Sequence, residues 1–289
     1  MSKSIEIIKT ELEEKGYSII PNILTENEIE TGKGMFYGWK KEVSDTIHSK
    51  INPHGIYKYH EVGHQRHAWY IRTNPKVQKV FKELWKTDEL IVSFDGSCYI
   101  PKEWNKKDRH WIHTDQAPDT EGLQCIQGFV SLTSNKERTF VVYEKSHLYH
   151  NRYFKENGIK SKKNWQVIDE KTIENMKESR RILDVPEGSL VVWDSRCFHS
   201  NRYGEPNSEE RIVQYVCYLP KNHSNNTMTM QKKRFKYFQE KRTTSHWPAP
   251  IHVNSKQPRT YGDNSKLIDY SKLKQPYLGD MNIEIIKLL

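Results

Sequence analysis

Two histidines and one carboxylate in this chain are spaced as residues that could bind a metal together. His113 and Asp115 are two residues apart in the segment 111–116, and His199 ends an apolar run that begins at Leu190. Side chains two apart on an extended segment point to the same side, so His113 and Asp115 could chelate one ion. Two histidines and a carboxylate bind one face of iron(II) and leave three coordination positions for chemistry.

Arg211 follows the distal histidine by twelve residues and could add a cation to the same site. A guanidinium pairs with a carboxylate through two parallel hydrogen bonds, which suits an anchor for a co-substrate acid. The alternative is a surface ion pair at a strand start, which would contribute little. Because a His-x-Asp motif is expected about once by chance in a chain of this length, the surrounding elements must decide between the two interpretations.

The elements that would position these residues are predicted to be short strands. Runs of apolar and β-branched residues predict strands over 182–185, 190–193 and 211–219, with a turn at 186–188. His199 is expected just beyond the second of these strands, and Arg211 begins the third. The strand 190–193 leads to His199, and a loop then leads to the strand that begins with Arg211. This order would bring the metal and the arginine into one pocket.

A further strand is predicted over 125–132, directly after the candidate metal motif. Gln127 lies on the more polar of its two faces. If that face is a pocket wall, Gln127 is a candidate contact for the co-substrate or the substrate. If the face is exposed to solvent, Gln127 has no role in the site.

Four segments follow one another in the order that is characteristic of one enzyme family. They are the helix–Gly–strand–helix opening over 13–25, His113-Thr114-Asp115-Gln116, Glu144-Lys145-Ser146-His147, and 186–199. Together with Arg211 they resemble the phytanoyl-CoA dioxygenase family of iron(II)/2-oxoglutarate oxygenases, from the N-terminus to about Leu219. In the third segment, Lys145 stands where the family has glycine.

The resemblance implies an activity and a set of ligands. His113, Asp115 and His199 would be the catalytic iron(II) ligands, and Arg211 would bind the distal carboxylate of 2-oxoglutarate. Relatives often carry Ser or Thr two residues after the distal histidine, where this chain has Asn201 as the candidate second contact to that carboxylate. With O2 as the other co-substrate, the implied reaction is hydroxylation of a small molecule.

Helices followed by many short strands predict an α+β fold with a mainly β core. The resemblance implies that this core is a double-stranded β-helix (a cupin-like jelly roll) with the metal in its open end. We expect one oxygenase domain over 1–289, composed of N-terminal helices (1–87), the jelly-roll core (88–220) and a basic C-terminal extension (221–289). Residues 151–180 are polar and helix-prone, and are expected to cover the mouth of the barrel.

The composition argues against a membrane-spanning protein and favours reduced thiols over a disulfide framework. No apolar run approaches the length of a membrane span, and the N-terminus lacks the apolar region of a signal peptide. Cys98, Cys125, Cys197 and Cys217 are scattered and form no Cys-x-x-Cys motif. We therefore expect reduced thiols, a cytoplasmic location and no membrane partner.

Positive charge is concentrated at the C-terminal end. Residues 221–289 contain 13 Lys and Arg against 5 Asp and Glu, and so carry +8 of the chain's +9. In the densest part, 232–242, aromatic residues alternate with cations and could contact nucleic acid or phosphate. The alternative is an amphipathic helix that packs Phe235 and Phe238 on the core and exposes its basic face. The charge also favours an anionic substrate or partner.

Other functions fit the same residues. A zinc hydrolase or lyase could use the His/Asp/His set, although that chemistry gives Arg211 no role. A non-enzymatic protein could bind nucleic acid through 221–289, and a degenerate relative could bind metal without turnover. A second metal site is conceivable in the predicted loop 44–68, where His54, His60, His64 and His67 lie. The sequence assigns neither the substrate nor an oligomeric state.

Overall fold

The structure is a computed structural model that describes residues 3–43 and 53–289. The helices in these ranges are α1 (Ile5–Glu14), α2 (Glu26–Lys40), α3 (Arg66–Arg72), α4 (Pro75–Trp85), α5 (Ser146–Glu156), α6 (Glu170–Asn175), α7 (Met228–Gln239) and α8 (Asn282–Lys287). The strands are β1 (Tyr17–Ile20), β2 (Ile56–Tyr57), β3 (Leu90–Val92), β4 (Ser97–Ile100), β5 (His113–Thr114), β6 (Ile126–Ser131), β7 (Phe140–Tyr143), β8 (Gln166–Val167), β9 (Arg180–Ile182), β10 (Leu190–Asp194), β11 (His199–Asn201) and β12 (Arg211–Pro220).

The chain divides into two compact units. The first comprises Met1–Asn22 and Ile100–Arg211, and the second comprises Ile23–Tyr99 and Ile212–Leu289. All six candidate site residues belong to the first unit. The prediction of one domain, made of three parts with boundaries at 87 and 220, stays a prediction.

The first unit contains antiparallel strands in two sheets. In one, β10 pairs with β1 on one side and with β6 on the other. The other is five-stranded, in the order β8-β5-β11-β7-β9. An apolar cluster that includes Tyr153 and Phe154 of α5 packs on Val141 and Tyr143 of β7. Because strand side chains alternate, Val142 and its neighbours across the sheet face the opposite way.

Gly16 joins α1 to β1 in a conformation that few other residues adopt. Its φ is +91°, and a Cβ atom there would lie 2.5 Å from Cys197 Sγ. The Gly16 carbonyl accepts hydrogen bonds from Asp194 N at 2.9 Å and Cys197 Sγ at 3.1 Å. The helix–Gly–strand opening therefore anchors the loop that leads to His199.

The second unit contains the helices α2, α3, α4, α7 and α8 with the strand pairs β2·β4 and β3·β12. Thr25 and Glu28 form the predicted capping box at the start of α2. Asn74 caps α4, which begins with Pro75 as the Asn-Pro pair predicts. Local capping signals were thus sufficient to locate both helix starts.

The basic segment is partly a structural element. Arg234 of α7 is fully buried and donates hydrogen bonds to the carbonyls of Val92, Pro248 and Leu288. Phe238 contacts the rings of Trp69 and Phe94, as the amphipathic interpretation predicted. For Phe235 that interpretation was wrong, because its side chain is 54% exposed. Arg234, rather than Phe235, is buried because it donates hydrogen bonds to these three backbone carbonyls in the interior.

Some local predictions were wrong where tertiary pairing decides. The predicted loop 44–68 contains the start of helix α3, and its part 44–52 lies outside the described residues. The strand predicted over 182–185 is instead Arg180–Ile182, with Val185 in an isolated bridge to Asn135. His199, expected beyond a strand, lies in β11 because it pairs with both β5 and β7.

The four cysteines are buried thiols, and none of them forms a disulfide. This confirms the expectation drawn from their scattered positions. Within 3–43 and 53–289, no helix is both long enough and apolar enough to cross a membrane.

Candidate metal and co-substrate site

The two candidate histidines face each other across a strand pair. His113 of β5 is directly opposite His199 of β11 in the antiparallel register, and the centroids of their rings are 4.4 Å apart. Directly opposite residues of antiparallel strands have their side chains on the same face. The register therefore juxtaposes two residues that are far apart in sequence.

Asp115 is held beside the histidines by the turn that follows β10. Its backbone N–H donates to the Ser195 carbonyl at 3.0 Å, and Thr114 Oγ1 donates to the same carbonyl at 2.9 Å. Ser195 Oγ in turn donates to Gln116 Oε1 at 2.9 Å. The segment after β5 and the turn before β11 are thus locked together by side-chain and backbone hydrogen bonds.

The hydrogen bonds of the two rings assign their tautomers. His113 Nδ1 lies 2.9 Å from the Trp111 carbonyl, and His199 Nδ1 lies 2.9 Å from the Cys197 carbonyl. A carbonyl oxygen only accepts, so each Nδ1 carries the proton and each neutral ring has its lone pair on Nε2. This second hydrogen bond is the usual way in which a ligand histidine is oriented.

The donor atoms of the three residues converge. His199 Nε2 is 3.2 Å and His113 Nε2 is 3.7 Å from Asp115 Oδ2. The three residues form a group whose ligand atoms all lie within 4.8 Å of one another, and each residue is only 4% exposed. Two nitrogen lone pairs and a carboxylate oxygen that converge in a buried site fit a bound cation, which would neutralise their mutual repulsion.

Arg211 is buried with a donor available. Its Nη1 donates to the Thr139 carbonyl at 3.1 Å and to Asn201 Oδ1 at 2.9 Å. Its Nη2 is buried and has no hydrogen-bond partner among the residues that the structure describes. A buried donor without a partner is costly, so this geometry fits an acidic ligand.

Asn201 connects the arginine to the candidate metal-binding group, which consists of His113, Asp115 and His199. It lies two residues after His199 on β11, on the same side of that strand. Because Asn201 Oδ1 accepts from Arg211, this side chain orients the guanidinium. The strand β11 thus carries a candidate ligand at one end and the support of the candidate anchor at the other.

Gln127 contacts the carboxylate of the metal-binding group. Its Nε2 donates to Asp115 Oδ2 at 3.1 Å, and its Oε1 is buried without a partner within the described ranges. Every residue of β6 is buried, so the alternative of a solvent-exposed face is wrong. The strand is covered on both sides, which the alternation of polar and apolar residues does not show.

Aromatic rings surround the two histidines. Trp111 stacks on His113 with centroids 4.8 Å apart, and Trp193, Phe140 and His113 lie within 5.4 Å of the His199 ring. Trp193 is buried in the core at 2% exposure. Trp165, from the segment predicted to cover the barrel mouth, lies 5.8 Å from the His113 ring. Trp193 and Phe140 are buried, whereas Trp165 is 54% exposed.

Glu209 was not identified from the sequence. Its Oε1 accepts hydrogen bonds from the backbone N–H groups of Lys136, Glu137 and Arg138 at 2.8 to 2.9 Å, and from Asn135 Nδ2 at 3.1 Å. A carboxylate in such a nest of amides has no signal in a single sequence. It holds the segment before Thr139, whose carbonyl receives Arg211.

The described histidines of the predicted loop do not form a second site. Within 3–43 and 53–289, the group of His113, Asp115 and His199 is the one that offers three candidate ligand atoms. His64 and His67 are instead buried, where His64 Nε2 contacts the Arg242 carbonyl and His67 Nε2 contacts Ser97 Oγ.

No protein-family model matches the chain. Two curated proteins are similar to it in sequence. Ava biosynthesis cluster protein O of Aspergillus versicolor is 30% identical over 215 residues, which cover 68% of this chain and 69% of that protein. "Putative phytanoyl-CoA dioxygenase" of Dictyostelium discoideum is 26% identical over 204 residues, which cover 56% of each. The chain therefore spans little more than half of the second relative.

Among solved structures, HygX from Streptomyces hygroscopicus, with nickel and 2-oxoglutarate bound, is similar in fold. The TM-score is 0.53 at 11% identity, and the match covers 77% of this chain and 89% of HygX. At this identity the likeness shows the fold alone, and it confirms the predicted α+β jelly roll. Taken with the sequence relatives and the convergent His/Asp/His group, it leads to one assignment: this chain belongs to the phytanoyl-CoA dioxygenase family of iron(II)- and 2-oxoglutarate-dependent oxygenases.

Proposed function

We propose that this oxygenase hydroxylates a small molecule, with His113, Asp115 and His199 as its iron(II) ligands and Arg211 as the anchor of 2-oxoglutarate. One observation carries the proposal. A buried group of three convergent ligand atoms lies in the same unit as a buried guanidinium whose Nη2 lacks a partner among the described residues. Strand β11 and its neighbours therefore offer both a candidate metal site and a donor for an acidic ligand.

Iron(II) with 2-oxoglutarate and O2 supplies the oxidation: substrate C–H, O2 and 2-oxoglutarate become C–OH, succinate and CO2. The protein's own residues provide orientation. Thr139 and Asn201 hold Nη1 of Arg211, which leaves Nη2 to donate to the distal carboxylate. Gln127 donates to Asp115 and so restricts how that carboxylate can rotate.

The zinc interpretation is less well supported by the same geometry. A hydrolase would have no use for a buried arginine whose Nη2 has no acceptor among the described residues. Such a donor would cost about 1–3 kcal/mol if nothing bound to it. Oxygenase chemistry uses both the donor and the metal group.

The first experiment is to add 2-oxoglutarate to anaerobic, iron(II)-loaded protein and record the visible spectrum. We expect the weak charge-transfer band of a chelated complex, lost in His113→Ala and weakened in Arg211→Ala. His110→Ala is the matched control, because His110 lies three residues away and bonds the Ile168 carbonyl instead.

Absence of the band in protein that demonstrably contains iron would contradict the proposed function. Iron content by itself is not a sufficient readout, because the chain has 13 histidines that can bind metal nonspecifically. The variants make the measurement specific to this group.

Two broader statements belong to the same proposal. Four buried thiols fit a reducing compartment, so we place the protein in the cytoplasm. We treat residues 1–289 as one oxygenase domain, supported by the fact that each compact unit draws on both halves of the chain.

A further inference from the structure

We propose that the substrate is a flat ring compound that carries an acidic group, and that Trp165 is the surface on which its ring stacks. The inference rests on the proposed function and adds a substrate class to it. Three observations support it: the register of the five-stranded sheet, the exposure of its apolar edge and the charge of the segment before Trp165.

The register places an apolar edge on the same face as the metal-binding group. Val167 of β8 is directly opposite His113 of β5, and His113 is opposite His199. The three side chains therefore share one face of the sheet. Trp165 precedes Val167 by two residues and falls on the same side, and its ring lies 5.8 Å from that of His113.

This edge is exposed although it is apolar. Trp165 is 54% and Val167 is 44% exposed, whereas Val142, on the same face at the other side of His199, is fully buried. Trp111 is half-buried and also stacks on His113. Single apolar residues scattered over a protein surface need no functional explanation. Several exposed apolar side chains together, next to a reactive centre, are characteristic of a binding site.

The shape of these side chains favours a flat ring. An indole stacks on other planar π-systems, and such pairs contribute beyond the apolar area that they bury. A ring on Trp165 would lie next to His113, so a C–H bond on that ring or on its substituent is brought toward the metal-binding group. An aliphatic chain would gain the area but not the stacking.

The charge near Trp165 favours an acid. The segment 159–165 contains Lys160, Lys162 and Lys163 and no acidic residue, and all three lysines are exposed. Lysine ammonium groups attract anions over a distance set by the salt concentration. A carboxylate or sulfonate on the ring would be attracted to this segment, whereas a cationic ring would be repelled.

The chain contains a matched control for this surface. In α7, Lys232, Lys233 and Lys236 are also exposed, and Phe235 is 54% exposed, the same fraction as Trp165. The two segments offer equal numbers of exposed lysines and one exposed aromatic ring each. They differ in that only Trp165 is in ring contact with a candidate metal ligand.

The test is ligand-observed NMR titration of naphthalene-2-carboxylate in the presence of saturating 2-oxoglutarate, which occupies Arg211. We expect Trp165→Ala to weaken its binding about five- to tenfold, and Trp165→Phe to retain most of it. Lys160→Gln/Lys162→Gln/Lys163→Gln should weaken binding and flatten its salt dependence. Phe235→Ala and Lys232→Gln/Lys233→Gln/Lys236→Gln should leave it unchanged.

Two comparison ligands separate the parts of the proposal. Naphthalene-2-carboxamide keeps the ring without the charge, and cyclohexanecarboxylate keeps the charge without a flat ring; both should bind more weakly. Equal binding of all three ligands, or a larger loss from the α7 variants than from the Trp165 variants, would overturn the inference.

Failure of this inference differs from failure of the proposed function. If the charge-transfer band with 2-oxoglutarate is present but naphthalene-2-carboxylate binds independently of Trp165, the function stands and the substrate class is wrong. If the band is absent while binding still depends on Trp165, the surface is real and the oxygenase proposal is wrong.

Discussion

Gln127 touches the metal-binding group through a single hydrogen bond, and its effect should be large for a residue that is not a ligand. It donates to Asp115 Oδ2 at 3.1 Å from a strand that is buried throughout. Partners that orient metal ligands typically contribute about 10- to 100-fold in affinity. Gln127 therefore belongs with the candidate ligands of the site.

We expect Gln127→Leu to lower iron(II) affinity by about 10-fold or more, because the carboxylate loses the group that fixes its rotation. The measurement is a competition titration with a metal-binding dye. Gln124→Leu is the control, since Gln124 Nε2 bonds only the Glu121 carbonyl in the same loop. Equal affinities for wild type and Gln127→Leu would show that Asp115 is oriented without this residue.

Glu209 affects the site indirectly, through the segment 136–138 that precedes Thr139. Glu209→Ala should lower the free energy of unfolding by about 1–3 kcal/mol, because three backbone N–H groups lose their acceptor. It should also weaken 2-oxoglutarate binding, because the Thr139 carbonyl that positions Arg211 follows this segment directly. Denaturant unfolding and a 2-oxoglutarate titration measure the two effects.

Glu205→Ala provides the comparison for Glu209, since the Glu205 side chain is exposed in the same loop. If Glu209→Ala lost stability but bound 2-oxoglutarate as tightly as wild type, Glu209 would be a structural residue only.

At the scale of elements, the strand pairing of β5 with β11 decides the site. It puts His113 opposite His199, while β8 and β7 extend the same sheet on either side. A shift of one residue in this register would turn one histidine to the other face. The helix α5, whose residues pack on the outer side of that sheet, holds the register in place.

The residue before α5 illustrates a local conflict between sequence and structure. Lys145 precedes the helix at φ 64°, in the left-handed region, where the family has glycine. Lys145→Gly should therefore raise the free energy of unfolding by up to about 1 kcal/mol, and Lys145→Val should lower it by about 1–2 kcal/mol. Thermal or urea unfolding of the two variants against wild type measures both.

In both variants the backbone hydrogen bond from residue 145 to the Lys15 carbonyl is retained, so the comparison isolates the backbone conformation. Destabilisation by glycine as large as that by valine would show that the Lys145 side chain, and not its φ angle, matters at this position.

At the scale of the whole molecule, buried neutral histidines couple stability to pH. Burial, reinforced by the charge of Arg72, lowers the pKa of His64 and of His67 from 6.5 to about 3. Between these values the unfolded chain binds protons that the folded protein does not. The stability that these groups contribute is therefore fully present above pH 6.5 and is lost as the pH falls toward 3.

We expect each of these histidines to cost about 1.4 kcal/mol of unfolding free energy for every pH unit below 6.5. Urea unfolding at pH 7.5, 6 and 5 measures the slope. His67→Gln, which can still bond Ser97 Oγ but does not titrate, should lower the wild-type slope by about 1.4 kcal/mol per pH unit. A slope that this substitution leaves unchanged would mean that other groups dominate the acid response.

Residue types and spacing alone determined much of this protein. The helix starts at Thr25 and Asn74 and the glycine after α1 were predictable, because each depends on capping or backbone conformation within a few residues. The candidate ligands and Arg211 could be proposed from residue type and spacing, and their roles stay predictions. The jelly roll was implied by the family resemblance that the order of the motifs carries, and not by local rules.

Only the tertiary structure decided how those residues meet. The His113–His199 register, the burial of both faces of β6, the buried Arg234 in a basic run and the bonds from Gln127 and Glu209 all join segments distant in sequence. Such pairings depend on which backbone groups remain to be satisfied once the sheets have formed. These long-range pairings are specified by the sequence as a whole, and no short sequence pattern predicts them.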